Sequence, residues 1–376
     1  MKILITGAGG FIGSNLKAAL KYRSVAEVLS FTHDLDEDAL FSMCEECDAV
    51  VHLAGVNRPQ NEEEFNKGNA DLTEKLVTLL EKAGNPVPVI YSSSTRAAGS
   101  DAYGISKKKA EDLINAYGRR NDTRVFVYRL PNVFGKWSRP EYNSAIATFC
   151  HHTARKEPVR IDDRSHEMKL LYIDDIVDEF IEDIKDLEKE KGYRENEGGV
   201  EPLRSVVYET TLGFVADTIL SFGKLREALA VPDLSDPLTS KLYSTYLSFL
   251  PPDALSYDLD MKEDERGSFT EFLRNRGAGQ VSVNISHPGI VKGQHWHDSK
   301  NEKFLVVRGR GLIRFRRLGQ EEIFDYHVNG DRLQVVEIPT GYTHCIINEG
   351  DEDMVTVMWA NEPFNPSKPD TYHEEV

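Results

Sequence analysis

Cysteine is scarce in this sequence: Cys44, Cys47, Cys150 and Cys345 are the only four in 376 residues. They are too few and too scattered for a disulfide framework, so stability must come from packed cores. Cys44 and Cys47 form a CxxC, yet no second pair or nearby histidine completes a zinc set, and a structural role is expected. No apolar run approaches the length of a membrane span, and the opening MKILITGAGGFIG is broken by glycines too early for a signal peptide. The expectation is a cytoplasmic chain with no membrane partner. Basic charge is also short: 45 Lys and Arg against 62 Asp and Glu leave a formal charge of -17. Nucleic acid needs clustered cations to displace its counterions and is not an expected partner.

What is present is ordinary globular material, 40% hydrophobic and 28% charged, in a chain long enough for two cores. Up to about residue 180, strand-like runs alternate with helical patterns, the clearest strands being 2–6, 49–53, 87–91 and 124–129. Such alternation predicts an α/β domain with a parallel sheet covered on both faces. A charged stretch over 182–199 reads as a solvated helix and loop. Past Pro251 and Pro252 come short β-type runs punctuated by glycine, which predict an all-β barrel. The expected division is 1–250 and 251–376.

Thr6 to Gly13 read TGAGGFIG, so Gly7, Gly10 and Gly13 make a GxxGxxG between a strand and a helix. Glycines there let the backbone approach a pyrophosphate, which the N-terminus of the helix stabilises. Downstream, Tyr103 and Lys107 form a YxxxK that places phenol and ammonium on one helical face. Lys107 is expected to lower the pKa of Tyr103, so that the phenol can protonate a ketone oxygen as hydride reaches carbon. Ser94, ending the run Ser92 to Ser94, can hydrogen-bond that oxygen. For the nucleotide's ribose, Asp34 fits the spacing that favours NAD, but it lies beyond the apolar segment 28–31. His33 and Arg58 could instead meet a 2′-phosphate, and the expectation leans to NADPH. His151 and His152 diverge on a helix and are expected at a surface or substrate edge.

Together with HLAG at 52–55, PNVFG at 131–135 and YIDD at 172–175, these motifs resemble the extended short-chain dehydrogenase/reductase family. The resemblance implies a Rossmann-type fold and nucleotide contacts from Gly7, Gly10, Phe11, Ile12, Gly13, Leu53, Ala54, Gly55, Asn69, Tyr103 and Lys107. It also implies that Asn132 lies near substrate and that Asn69 supports the helix beside the active site. Dehydratases of that family carry Asp-Glu after the catalytic hydroxyl residue; here Thr95 and Arg96 follow Ser94, so the acids for dehydration are missing.

In the second half, Gly289, His295, His297, Glu302 and Gly309 keep the spacing Gx5HxHx4Ex6G, and 339–348 read PxGxxHx3N with His344. Residues two apart on a strand share a face, so the imidazoles can converge. Three imidazoles and a carboxylate suit zinc, iron or nickel. Both segments resemble the cupin motifs. DERG at 264–267 with GIVKGQHWH and Lys303 resembles the sugar-nucleotide 3,5-epimerases, which implies a phosphate contact for Arg266. A ketone at C4 acidifies the C3 proton, with His295, His297, Lys303 and Tyr342 as candidate proton carriers. Lys303 or a metal would steady the enolate oxygen.

As a whole the sequence resembles the bifunctional capsular-polysaccharide enzymes of the CapF type, through VNRP, WSRPEYNS, LYSTYLSFLP and NEKFLVV. That resemblance implies one zinc per chain, a homodimer and a UDP-2-acetamido-2,6-dideoxy-4-keto hexose substrate. It further implies C3 epimerisation in the cupin, then NADPH-dependent reduction at C4 towards the L-talose configuration and UDP-N-acetyl-L-fucosamine. The alternative is a reductase, or an NAD-linked epimerase, whose cupin is a sugar-sensing or dimerisation module.

Overall fold

Alternate residues of the first strands carry side chains to opposite faces, and both faces are apolar. Ile3 and Ile5 pack into one fully buried cluster and Leu4 into another, and Val51 and Val50 divide in the same way. A sheet buried on both sides is the result. The structure is a computed structural model and describes all residues except 60, 188–191, 195, 276–278 and 368. Part of the charged stretch 182–199 therefore lies outside the described residues.

The first half runs β1 (Lys2–Thr6), α1 (Phe11–Tyr22), β2 (Glu27–Phe31), α2 (Glu37–Glu46), β3 (Ala49–His52), α3 (Glu63–Asn66), α4 (Leu72–Lys82), β4 (Val89–Ser94), α5 (Ala102–Asn121) and β5 (Val125–Leu130). These five strands form a parallel sheet in the order β2-β1-β3-β4-β5. Chain connections leave β1 in opposite directions, which opens a crevice at its C-terminal end. A smaller sheet joins β6 (Asn132–Phe134), β7 (Glu167–Tyr172) and β8 (Val207–Thr211), with α6 (Ala145–Ala154), α7 (Ile173–Asp186), α8 (Leu212–Phe222) and α9 (Pro237–Leu247) around it in sequence. Cys44 and Cys47 lie in the cluster beneath α2, and burial pushes both thiols up to about 12, the response of inert core residues.

By contacts the chain divides into two units, 1–220 with 237–250 and 221–236 with 251–376. Segment 221–236, which the sequence boundary put in the first half, clusters with the second unit; Arg274 donates its backbone N–H to the Leu229 carbonyl. No run of strand periodicity marks that segment, so its attachment was invisible in the pattern. The second unit contains β9 (Lys262–Asp264), β10 (Gly267–Asn275), β11 (Gly279–Ser286), β12 (Val291–Trp296), β13 (Glu302–Arg308), β14 (Arg310–Arg317), β15 (Ile323–Asn329), β16 (Val335–Ile338), β17 (Tyr342–Asn348), β18 (Met354–Ala360) and β19 (Tyr372–His373). They pair antiparallel as β16-β13-β18-β11-β10-β9 and β15-β14-β17-β12-β19. Phe304, Val306 and Met354 of one sheet share a core with Ile313, Phe315 and Ile346 of the other, the arrangement of a cupin barrel. Among the described residues no helix is long and apolar enough to cross a membrane.

Candidate active sites

At the end of β1 the chain turns through Gly7, whose φ of +70° suits glycine, and a Cβ there would meet the Ala54 nitrogen at 2.8 Å. A Cβ on Gly13 would lie 2.3 Å from the Gly7 carbonyl oxygen. The two glycines thus let the loop, the N-terminus of α1 and the Leu53–Gly55 segment close on one another. Gly10 is the N-cap of α1 and supplies no side-chain cap, and the first turn holds no acidic residue. The leading N–H groups at Phe11, Ile12 and Gly13 are left for an anion.

Beneath the loop, Thr6 Oγ1 accepts the Ala54 N–H at 3.2 Å and meets His52 Nδ1 at 2.6 Å. Thr73 donates its hydroxyl hydrogen to the Asn69 carbonyl, so His52 Nε2, 2.9 Å away, must be the donor to Thr73. His52 is then a neutral ring accepting from Thr6, and burial drives it down to about 3. The HLAG motif contains this histidine, but nothing in spacing revealed its structural task.

Asn69 sits in a single π-helical turn, Lys67–Asp71, between α3 and α4. Its amide donates to the Val56 carbonyl at 3.0 Å and to Ser106 Oγ at 2.9 Å and accepts the Val56 N–H at 3.0 Å. Both amide protons are used. Asn69 therefore ties the end of the HLAG segment to α5 and has no amide proton left to donate to a nucleotide.

α5 begins at Asp101, whose carboxylate caps Gly104 N–H at 3.1 Å, and carries Tyr103 and Lys107 one turn apart. Lys107 is buried, donates to the Ser92 carbonyl at 3.0 Å and lies near Gly55, where a Cβ would stand 3.3 Å from its Nζ. Burial lowers its ammonium to about 8, against the opposing pull of Glu111. Tyr103 does not behave as the sequence predicted. Burial raises its phenol, and the groups that oppose the rise are the Ser94 hydroxyl and the Arg96 guanidinium, 5.1 Å from the ring centre. Lys107 points at a backbone carbonyl instead. Arg96, held by Asp101 at 2.8 Å, is thus a neighbour that sequence reading registered only as a missing acid.

The remaining first-half residues are dispersed. Asn132 is exposed at the start of β6. Asp34 lies in the 32–35 turn beyond β2 and accepts from Thr32, while His33 is exposed beside it. Arg58 directs Nη1 to the carbonyls of Glu141 and Tyr142 at 3.2 and 2.8 Å, which draws it to the 137–144 loop. His151 and His152 do touch, with ring centres 5.6 Å apart, and His152 pairs with Glu157 at 2.6 Å.

In the second unit, β12 carries a bulge between Gly293 and His295, with φ of +101° at Gly293 and +59° at Gln294. His295 is thereby set opposite His344 of β17. Candidate ligand atoms of His295, His297, Glu302 and His344 all lie within 4.8 Å of one another. Glu302 Oε2 stands 3.1 Å from His344 Nε2 and 3.4 Å from His297 Nε2. His297 Nε2 and Glu302 Oε2 are buried without a hydrogen-bond partner. Burial alone would raise the Glu302 carboxyl, but His297 and His344 outweigh it and hold it far below the usual range. Burial, with His344 and His297 adding to it, lowers His295 to about 4. Converging imidazole and carboxylate donors with orphaned buried atoms fit a zinc-class cation.

Lys303 does not join this cluster. Glu302 and Phe304 share the inner face of β13, so Lys303 points outward, where it pairs with Glu337 and lies 5.9 Å from the Trp359 ring centre. The lysine that does face inward is Lys292, paired with Ile346 and bonded to Asn284 Oδ1 and the Ile285 carbonyl, each at 2.8 Å. In a regular strand residues 292 and 295 would face opposite ways; the extra residue at the bulge puts both inside. Tyr342 shares the inner face with His344 and meets Phe315 edge-on at 5.8 Å. Arg266, between β9 and β10, is held by Asp264 through Nε at 3.0 Å and Nη2 at 2.5 Å.

Comparison with known proteins follows this division. Residues 3–193 match the NAD dependent epimerase/dehydratase family, and residues 262–372 match the polysaccharide biosynthesis C-terminal domain. A UDP-2-acetamido-2,6-beta-L-arabino-hexul-4-ose reductase of Pseudomonas aeruginosa is 42% identical over 372 residues, covering 99% of this chain and 98% of that one. The crystal structure of the capsular polysaccharide assembling protein CapF from Staphylococcus aureus matches with a TM-score of 0.92 and 45% identity over 100% of both chains. The spore coat polysaccharide biosynthesis protein SpsL of Bacillus subtilis is 25% identical over 117 residues, 28% of this chain and 78% of its own. With a parallel-sheet nucleotide fold of the NAD dependent epimerase/dehydratase family joined to a polysaccharide-biosynthesis barrel along its whole length, this chain belongs to the CapF family of capsular sugar-nucleotide enzymes.

Proposed function

We propose that the chain converts a UDP-2-acetamido-2,6-dideoxy-4-keto hexose in two steps, epimerising C3 in the barrel and then reducing C4 with NADPH towards the L-talose configuration. The observation that carries this reading is the presence, in one chain, of Ser94, Tyr103 and Lys107 beside a glycine-lined crevice and of a four-donor cluster in a barrel. The end-to-end likeness to a hexul-4-ose reductase supports the same substrate class.

A zinc ion held by His295, His297, Glu302 and His344 would supply a Lewis acid for the oxygen of the 4-ketone. Lys292 and Arg266 provide positive charge suited to the diphosphate. Removal of the acidified C3 proton and its return on the opposite face inverts that carbon, and Tyr342 is the inner-face phenol suited to carry a proton. In the other half, a nicotinamide held at the glycine loop would supply the hydride for C4. Tyr103 gives its proton to the ketone oxygen, Ser94 donates a hydrogen bond to that oxygen, and Lys107 holds the ribose and helps repay the proton. The place of Asp34 in the turn beyond β2, and the exposed His33 beside it, support NADPH over NAD. Capsular sugar synthesis by a homodimer is the corresponding setting.

The test supplies the 4-keto sugar nucleotide in deuterated water. Deuterium should enter C3 without nicotinamide, and NADPH should then be consumed with reduction at C4. Consumption with no C3 deuterium at any stage would make the barrel a binding module; turnover without net NADPH loss would make the first half an epimerase.

A further inference from the structure

Between His297 and Glu302 the chain passes through Asp298, Ser299, Lys300 and Asn301, four residues outside any strand. Such a link would be free to swing, and with it the ligand at its head. Asn361 holds its far end, accepting the Asn301 N–H at 3.0 Å, and its near end, next to His297, is fastened by Asp370. Asp370 Oδ1 accepts the Asp298 N–H at 2.9 Å, and Oδ2 accepts the Ser299 and Lys300 N–H groups at 2.8 Å each and the Ser299 hydroxyl at 3.1 Å. The Asp370 main-chain carbonyl also accepts from His297 Nδ1.

That last bond fixes the ring's tautomer: with hydrogen on Nδ1, the lone pair is on Nε2, the buried atom that faces Glu302. Asp370 is itself anchored from the far side. Following it, β19 pairs with β12 at His295 and Trp296, the Tyr372 and Trp296 rings stack at 4.6 Å, and Glu374 donates its N–H to the Gln294 carbonyl at 3.1 Å. The segment therefore reaches Gln294, His295, Trp296 and His297 without supplying a ligand atom to the cluster.

We propose that Asp370 is a positioning residue of the metal centre, fixing the 298–300 link by its carboxylate and the orientation of His297 by its carbonyl. This rests on the metal-binding reading of the His295, His297, Glu302 and His344 cluster. Outer contacts of this kind commonly govern affinity by about 10- to 100-fold.

The full chain is stripped of metal, and the unaltered protein, Asp370→Ala, Asp370→Asn and Glu374→Ala are titrated with zinc against a chelating dye and, separately, with cobalt(II) for its visible absorption. Asp370→Ala should bind zinc about 10- to 100-fold more weakly and shift the cobalt spectrum, with far-ultraviolet circular dichroism unchanged. Asp370→Asn retains one acceptor oxygen and should fall between. Glu374→Ala removes only a side chain paired with Arg316 and should match the unaltered protein. Zinc affinity within about twofold of the unaltered chain and an unshifted cobalt spectrum in Asp370→Ala would overturn the inference while leaving the metal reading intact. Absence of stoichiometric uptake by the unaltered chain would overturn both. Should the alanine variant not fold, the asparagine variant is judged by the same measurements.

Discussion

The two sites are prepared in opposite ways. In the first half the polar groups named for the site already have partners, although the buried Tyr91 hydroxyl beside them has none: Lys107 holds the Ser92 carbonyl, Asn69 holds Val56 and Ser106, and His52 lies between Thr6 and Thr73. What is left for a ligand is space where glycines carry no side chain and N–H groups at the head of α1. In the barrel the groups converge on one point, and two of the buried atoms have no partner. A shaped crevice can exist without its ligand at little cost, whereas clustered donors leave desolvated polar atoms that a cation would satisfy. Chemistry and stability should therefore be separable in the first site and linked in the second.

The strongest way to break that comparison is Tyr103→Phe. NADPH oxidation should fall by about 10²- to 10⁴-fold, while cofactor-free deuterium exchange at C3 and the unfolding temperature stay near their original values. Loss of exchange in the same variant would mean that the halves do not act separately. Removing metal should do the reverse, suppressing exchange and lowering the stability of the second unit, by about 3–4 kcal/mol relative to protein in zinc at 100 to 1,000 times its dissociation constant. Calorimetry with and without chelator reads this directly, and an unchanged transition would sever the proposed linkage.

A smaller effect sharpens the first half. The buried Lys107 ammonium releases its proton near 8 in the folded chain, against an ordinary value of 10.5. Below pH 8 the folded state therefore carries a charge it would hold more easily when unfolded, and this penalty is relieved as pH rises from about 8 to 10.5. Lys107→Met should abolish reduction yet raise stability at pH 7 by about 1–3 kcal/mol, a gain that shrinks across that same window. Denaturant titrations at pH 7 and 10 measure it; a destabilised variant at pH 7 would show that the Ser92 bond outweighs burial. The smallest effect is expected for Lys303→Ala, an exposed pair with Glu337 worth about 0–1 kcal/mol. Its C3 exchange should be unchanged, and a large loss would contradict the outward placement.

Much of this was legible before any coordinates. The glycine loop, the Tyr103 helix and the four cluster residues follow from spacing because each depends on a local periodicity of helix or strand. What was not legible depends on long-range closure. Segment 221–236 declares no partner in its own pattern, Asp370 lies far from the link it holds, and the inward direction of Lys292 turns on one irregularity in β12. Asn69 shows the same limit at one residue: the resemblance implies that it supports the helix beside the site, but only the coordinates name Val56 and Ser106 as the groups its amide holds.

That irregularity has a wider consequence. A Cβ on Gly293 would stand 2.7 Å from the His344 carbonyl oxygen, so any other residue there works against the bulge. A strand forced back to regular alternation can keep His295 inward only by turning Lys292 to solvent, or keep Lys292 inward only by turning His295 away. The missing methyl group thus decides whether cation-holding and anion-attracting chemistry can occupy a single strand, and a search for the histidines alone would accept a sequence that had lost this compatibility.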